Sequence, residues 1–182
     1  MATSTGVTFI EHGSVSSISA FQGLVNNHVY TLAARDGTLL AGTLGGFSLL
    51  RNGSIAANFT TANSTLRQNW ITSSAVFGND IYLGTYGSGV IRLGHDSALT
   101  RFKEFSRQRT EINANAMLAT GIAIYAGTAG QGLAVLKAGD ERWHFVRTGL
   151  PSLNVTAIAS HNGVLYIGTD NGLVSTPERE ID

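Results

Sequence analysis

Four phrases, "LLAGTLGGF", "IYLGTYGSGV", "IYAGTAGQGL" and "LYIGTDNGL", place a Gly-Thr pair ahead of another glycine, at Gly42-Thr43, Gly84-Thr85, Gly127-Thr128 and Gly168-Thr169. Such a turn could cradle a phosphate, because backbone N–H groups and a hydroxyl can converge on an anion. That chemistry also calls for a helix N-terminus and usually a lysine, and neither accompanies the phrase. Recurrence argues instead for a structural turn. The glycine would allow close backbone approach and the Thr hydroxyl would hydrogen-bond within the turn.

Other reactive groups do not gather. The histidines, His12, His28, His95, His144 and His161, include no pair at a metal-ligand spacing. Asp36, Asp80, Asp96, Asp140 and Asp170 fall in predicted turns, Glu104 and Glu141 on predicted outer strands. No convergent carboxylate pair for glycoside hydrolysis can be assembled from them. The absence of cysteine removes disulfides, thiolate metal sites and cysteine nucleophiles. The expectation is a non-enzymatic protein without cofactor or metal.

The spacing of the phrase reveals the elements that carry it. Successive Gly-Thr pairs lie 42, 43 and 41 residues apart, the mark of an internal repeat. Thirteen residues before each glycine stand Val29, Ile71, Ala114 and Val155, each opening a short run of small and β-branched residues suited to a buried inner strand. A turn follows, then the strand ending in Gly-Thr, then "GFSLLR", "GVIRLG", "GLAVLK" or "GLVSTP". More polar segments, "AANFTT", "LTRFKEF" and "RWHFVRT", close the complete units. No segment sustains a 3.6-residue apolar period, so almost no helix is predicted. Four antiparallel strands per unit of about 40–45 residues predict an all-β fold, a β-propeller.

The stretch from Gly6, "GVTFIEHGSVSSISAFQGL", aligns without gaps to "GLAVLKAGDERWHFVRTGL" from Gly132. The expectation is therefore one domain over 1–182, with blades at about 23–64, 65–110 and 111–148 and a composite blade joining 149–176 to 6–22. About four blades result, as one small ring or as half of an eight-bladed ring shared by two chains; the homodimer is the preferred reading. The segment "GLVST" then duplicates the position of "GVTFI".

The ring mouth is the predicted binding site. Just before the inner strands stand Asn27-His28, Asn69-Trp70, Ile112-Asn113 and Leu153-Asn154, and Glu111 lies nearby. Asn27, Asn69, Asn113 and Asn154 could donate and accept, with His28 beside them and Trp70 as a stacking face, a set suited to a small neutral ligand such as a carbohydrate. The competing reading is that these Asn side chains cap turns. Twelve Lys and Arg balance twelve Asp and Glu, so no net field draws the chain to nucleic acid or to an anionic membrane. No 18-residue apolar run predicts a spanning helix, and the start has no secretory signal pattern.

The phrases "DGTLLAGTLGGFSLL" and "NGVLYIGTDNGLVS", with "TGLPSLNVTAIASHNGVLYIGTDNGL" and its Gly149-Leu150-Pro151 entry, resemble the two-component regulator propeller repeat. The likeness runs from Gly6 to Ser175 but is divergent: Leu39, Tyr82, Ile124-Tyr125 and Leu165-Tyr166 stand where that family keeps a Trp. It implies a sensor domain in signal transduction, often dimeric, recognising a carbohydrate-like ligand in an extracytoplasmic compartment. The alternatives are an interaction scaffold without a small ligand, and a propeller hydrolase or lyase acting on sugars or lactones.

Overall fold

The computed structural model describes residues 1–181 as strands, tight turns and three short 3-10 turns. The N-terminal sheet holds β1 (Ala2–Thr3), β2 (Gly6–Glu11) and β3 (Ser14–Ile18). The first full sheet is β4 (Val29–Arg35), β5 (Thr38–Thr43), β6 (Gly46–Arg51) and β7 (Ser54–Phe59). The second is β8 (Ile71–Phe77), β9 (Asp80–Gly87), β10 (Val90–Leu93) and β11 (Leu99–Arg101). The third is β12 (Thr110–Ala119), β13 (Ala123–Thr128), β14 (Leu133–Lys137) and β15 (His144–Val146). The C-terminal sheet has β16 (Val155–His161), β17 (Val164–Thr169) and β18 (Gly172–Pro177). All strands within a sheet pair antiparallel in chain order, the blade pattern expected from the repeat. β9 also runs on to pair Gly87 with Thr110 and Tyr86 with Glu111, tying the second sheet to the third.

The sheets stack face to face, and the core is four apolar layers between successive neighbours. This explains why the second strands are apolar on both faces rather than alternating with polar residues. In β13, Ile124 and Ala126 face the second sheet while Ala123 and Tyr125 face the C-terminal one. Both sets are buried, so neither face is left for solvent.

Each inner strand carries a bulge near its start. Val29 pairs with Thr43 and Thr31 with Gly42, leaving Tyr30 over; Thr72 and Thr156 are left over in the same way. In β12 the irregularity is longer, from Ile112 opposite Thr128 to Met117 opposite Ala126. The residue of this strand opposite the Gly-Thr threonine is thus Ile112, in register with Val29, Ile71 and Val155, and not Ala114 as equal spacing predicts. The slip arises because counting back from Gly127 cannot see extra residues inside a bulge.

The two ends of the chain lie in separate sheets. The composite pairing of 149–176 with 6–22 is not formed among the described residues, because β18 occupies the third position itself. Its ladder runs from Thr169 opposite Gly172 to Val164 opposite Pro177. At the other end, Ala2–Thr3 supplies the last two residues of a second strand, so the first unit starts earlier than the Gly6 alignment implies.

Candidate functional site

The Gly-Thr turns come first, since their hydroxyls were the chemical candidates. Thr43 Oγ1 donates to the Gly46 carbonyl at 2.8 Å and accepts from the Gly45 N–H at 3.0 Å. The same two bonds recur at Thr85 (2.8 and 3.0 Å), Thr128 (2.6 and 3.0 Å) and Thr169 (2.9 and 3.2 Å). A further copy, invisible as a Gly-Thr pair, is Thr3 with Gly6 (2.7 Å) and Thr5 (3.2 Å). A hydroxyl engaged as both donor and acceptor in a closed turn has little left to offer a phosphate. The threonine is a clasp across the hairpin.

The glycine of each pair answers to packing. A Cβ built on Gly42 would stand 2.7 Å from the Ile71 side chain, and one on Gly84 would stand 2.7 Å from Ile112. On Gly127 it would meet the Val155 carbonyl at 2.5 Å and its side chain at 2.9 Å. Each glycine is therefore a socket for the opening residue of the next inner strand.

Just above these sockets lie the positions predicted to form a mouth. Backbone N–H groups following the clasps donate to the carbonyls of His28, Trp70, Glu111 and Asn154, from Leu44 (3.1 Å), Tyr86 (3.0 Å), Ala129 (3.0 Å) and Asp170 (3.3 Å). Those four residues are the equivalent positions; Glu111 takes the place that the sequence alignment gives to Asn113.

Their side chains divide into separate groups. Trp70 stands against Tyr30 (ring centroids 5.5 Å, tilted) and stacks on Tyr86 (4.3 Å). The Arg109 guanidinium lies 5.1 Å from the Tyr86 ring, a cation–π contact that completes a half-buried edge. Trp70 Nε1 has no acceptor among the described residues. Elsewhere, Asn113 Nδ2 donates to Asn154 Oδ1 (2.9 Å) and to the Val155 carbonyl (2.7 Å), and Asn154 Nδ2 donates to Asp170 Oδ2 (3.1 Å). Hydrogen bonds from Ser152 and then Asn154 hold the Asp170 carboxyl below the usual carboxylate range.

The remaining predicted residues serve their own loops. Asn27 Oδ1 accepts from the Ala20 N–H and Asn69 Oδ1 from the Thr61 N–H, both at 2.7 Å. These are turn caps, the competing reading from sequence. His28 is exposed beside them. Thus Asn113 and Asn154 meet and Trp70 finds two aromatic partners, whereas Asn27 and Asn69 are spent locally. Sequence reasoning missed Tyr30, Tyr86, Arg109, Ser152 and Asp170. The available signal was adjacency: Tyr30 follows the strand-opening Val29, and Tyr86 and Asp170 each follow a clasp threonine. Among the described residues, no three His, Asp or Glu side chains group as a metal ion requires.

No protein-family model matches the chain, and no curated protein matches it in sequence. Solved structures match its fold at low identity. The computationally designed Ika8 protein matches with a TM-score of 0.65 and 16% identity, over 94% of this chain and 52% of that one. The extracellular domain of BT4673 from B. thetaiotaomicron matches at 0.55 and 18%, over 96% of this chain and 30% of that one. The β-propeller domain of Cps50 (Swd1) from Myceliophteria thermophila matches at 0.59 and 18%, over 81% and 53%. This chain therefore spans about half of two of these proteins and less than a third of the other. Sheet order, stacking and these likenesses define an all-β chain of the β-propeller class. No helix among the described residues is long and apolar enough to cross a membrane.

Proposed function

We propose that this chain is a non-catalytic binding module, an arc of propeller blades that a second copy closes into a ring. The observation that carries the reading is at Gly168. Its three equivalents, Gly42, Gly84 and Gly127, are each filled by the next inner strand, but a Cβ on Gly168 would find only Ala157 of its own sheet, at 3.3 Å. On the same open face Leu173 is 67% and Tyr166 37% exposed. The opposite end is bare too, with Ile10 59% and Val15 68% exposed on the N-terminal sheet. Apolar sheet faces of this kind are stabilised by cover, at roughly 25 cal/mol per Å² removed from water. A second copy supplies apolar cover, since its N-terminal sheet leaves Ile10 and Val15 exposed.

In this reading the ring mouth receives a small neutral ligand such as a carbohydrate, on the Tyr30–Trp70–Tyr86 edge and the Asn113–Asn154 amides. The likeness to the extracellular domain of BT4673, from a hybrid two-component system, supports a sensing role in an extracytoplasmic setting. The test is solution mass by light scattering. The expected mass is about twice the 19.2 kDa of one chain, falling to one chain in Leu173→Asp. A lone chain at every concentration overturns closure by a second copy.

A further inference from the structure

Balanced overall charge conceals a strong local imbalance. Seven of the twelve Lys and Arg side chains border two adjoining grooves of about 730 and 670 Å³ at the junction of the second and third sheets. Arg107, Arg142 and Arg147 line one, Arg67, Arg101 and Arg109 the other, and Lys103 borders both. Glu104 is the one carboxylate among the lining residues of the pair.

The segment "RFKEFSRQR" (101–109) explains how so many cations are held together. Phe105 is its anchor: 3% exposed, it lies over Gly89, where an added Cβ would stand 2.2 Å from its ring. It meets Trp143 and Phe145 edge-on, at centroid distances of 5.6 and 5.5 Å. With that ring pinned inside, the flanking Arg and Lys side chains are turned toward solvent. Arg147 rests on the Phe145 ring at 5.0 Å. The ion pairs among the described residues, Arg35–Asp36, Arg92–Asp80 and His144–Asp140, include none of the seven. Trp143, 3% exposed in the groove lining, also keeps its indole N–H without an acceptor among the described residues.

We infer that this junction binds an extended acidic segment of a partner protein. The groove offers a surplus of donors, so its occupant must bring acceptors and negative charge. Guanidinium forks match carboxylates two bonds at a time. Phe105 and Trp143 lie beneath the surface and Arg147 covers the Phe145 ring, so of the Phe and Trp rings in the lining only the half-buried Phe102 is open to a base, which argues against single-stranded nucleic acid. Steering by the patch acts over a Debye length of about 8–10 Å, so it works locally in a chain of zero net charge. The site lies away from the open sheet faces and does not depend on ring closure.

The test uses the whole chain and a short fluorescein-labelled Glu-rich peptide, read by anisotropy at low and physiological salt. Binding should weaken as salt rises. Arg107→Glu with Arg142→Glu should weaken it by at least about tenfold at low salt. Arg107→Gln with Arg142→Gln should give a graded loss, and the exposed Arg179→Glu, outside the groove, should change nothing. No binding at low salt, an unchanged affinity in the double reversal, or tighter binding of a single-stranded DNA of equal charge overturns the inference.

Discussion

The third sheet and the C-terminal sheet are built from the same parts but live in different surroundings. Leu133 and Leu173 occupy equivalent positions, each opposite a motif glycine; one is fully buried and the other 67% exposed. Tyr125 and Tyr166 repeat the contrast at 1% and 37%. Nothing local separates them. A blade's outward face is apolar because another blade is meant to cover it, and its stability is a property of the pair.

The largest effect should come from breaking that contrast at the leucines. Leu133→Ala is expected to cost about 2–5 kcal/mol in denaturant unfolding. Leu173→Ala should cost under about 0.5 kcal/mol while the face stays open. The glycines sharpen the point. Gly127→Ala drives a Cβ against the Val155 carbonyl and should cost about 1–3 kcal/mol or more, whereas Gly168→Ala meets no following strand. If closure by a second copy holds, both C-terminal variants become costly at concentrations where the ring forms. Equal losses from Leu133→Ala and Leu173→Ala in dilute, single-chain samples would contradict the open face.

This comparison also shows what a sequence can disclose. The period near forty-two residues was legible because two physical demands, a clasp hydroxyl and a Cβ-free position, fall on adjacent residues in four of the units. The register of β12 was not, since the bulge after Ile112 lengthens the strand without altering the motif that follows it. The first clasp escaped notice because Ala2 stands where glycine stands elsewhere, and only Thr3 remains to mark it. At the mouth, Tyr30 and Tyr86 each occur in one unit alone, so repetition could not flag them. Asn27 and Asn69 looked like ligand groups because an amide that caps a turn has the same composition as one that binds. The basic junction was hidden by a charge total that sums over the whole chain.

A second, smaller effect separates the clasps. Thr128→Val removes a fully buried hydroxyl, deprives the Gln131 N–H of its acceptor and leaves the Gly132 carbonyl only the Thr128 N–H, at an expected cost of about 1–3 kcal/mol. Thr169 makes the same bonds at the exposed end, where water can replace them. Thr169→Val should therefore cost less than about 1 kcal/mol. A pair of unfolding curves decides it, and a reversed order would mean that burial does not set the strength of the clasp.

The smallest effect is a titration. The Asp170 carboxyl, hydrogen-bonded by Ser152 and Asn154, sits below its ordinary value of 3.8 in the folded chain. Because the folded value is the lower one, its stabilising contribution is complete above the ordinary value and is lost as pH falls through the folded one. Neutral pH should leave it intact, and acid should loosen the link from Asp170 to Asn154, and through Asn154 to Asn113. Carboxyl chemical shifts followed by NMR should place the Asp170 midpoint below the ordinary value of 3.8. Ser152→Ala should move it up toward the ordinary value. A midpoint indifferent to Ser152→Ala would show that the serine does not hold this carboxylate. The ordering of the mouth's amides would then rest on Asn154 alone.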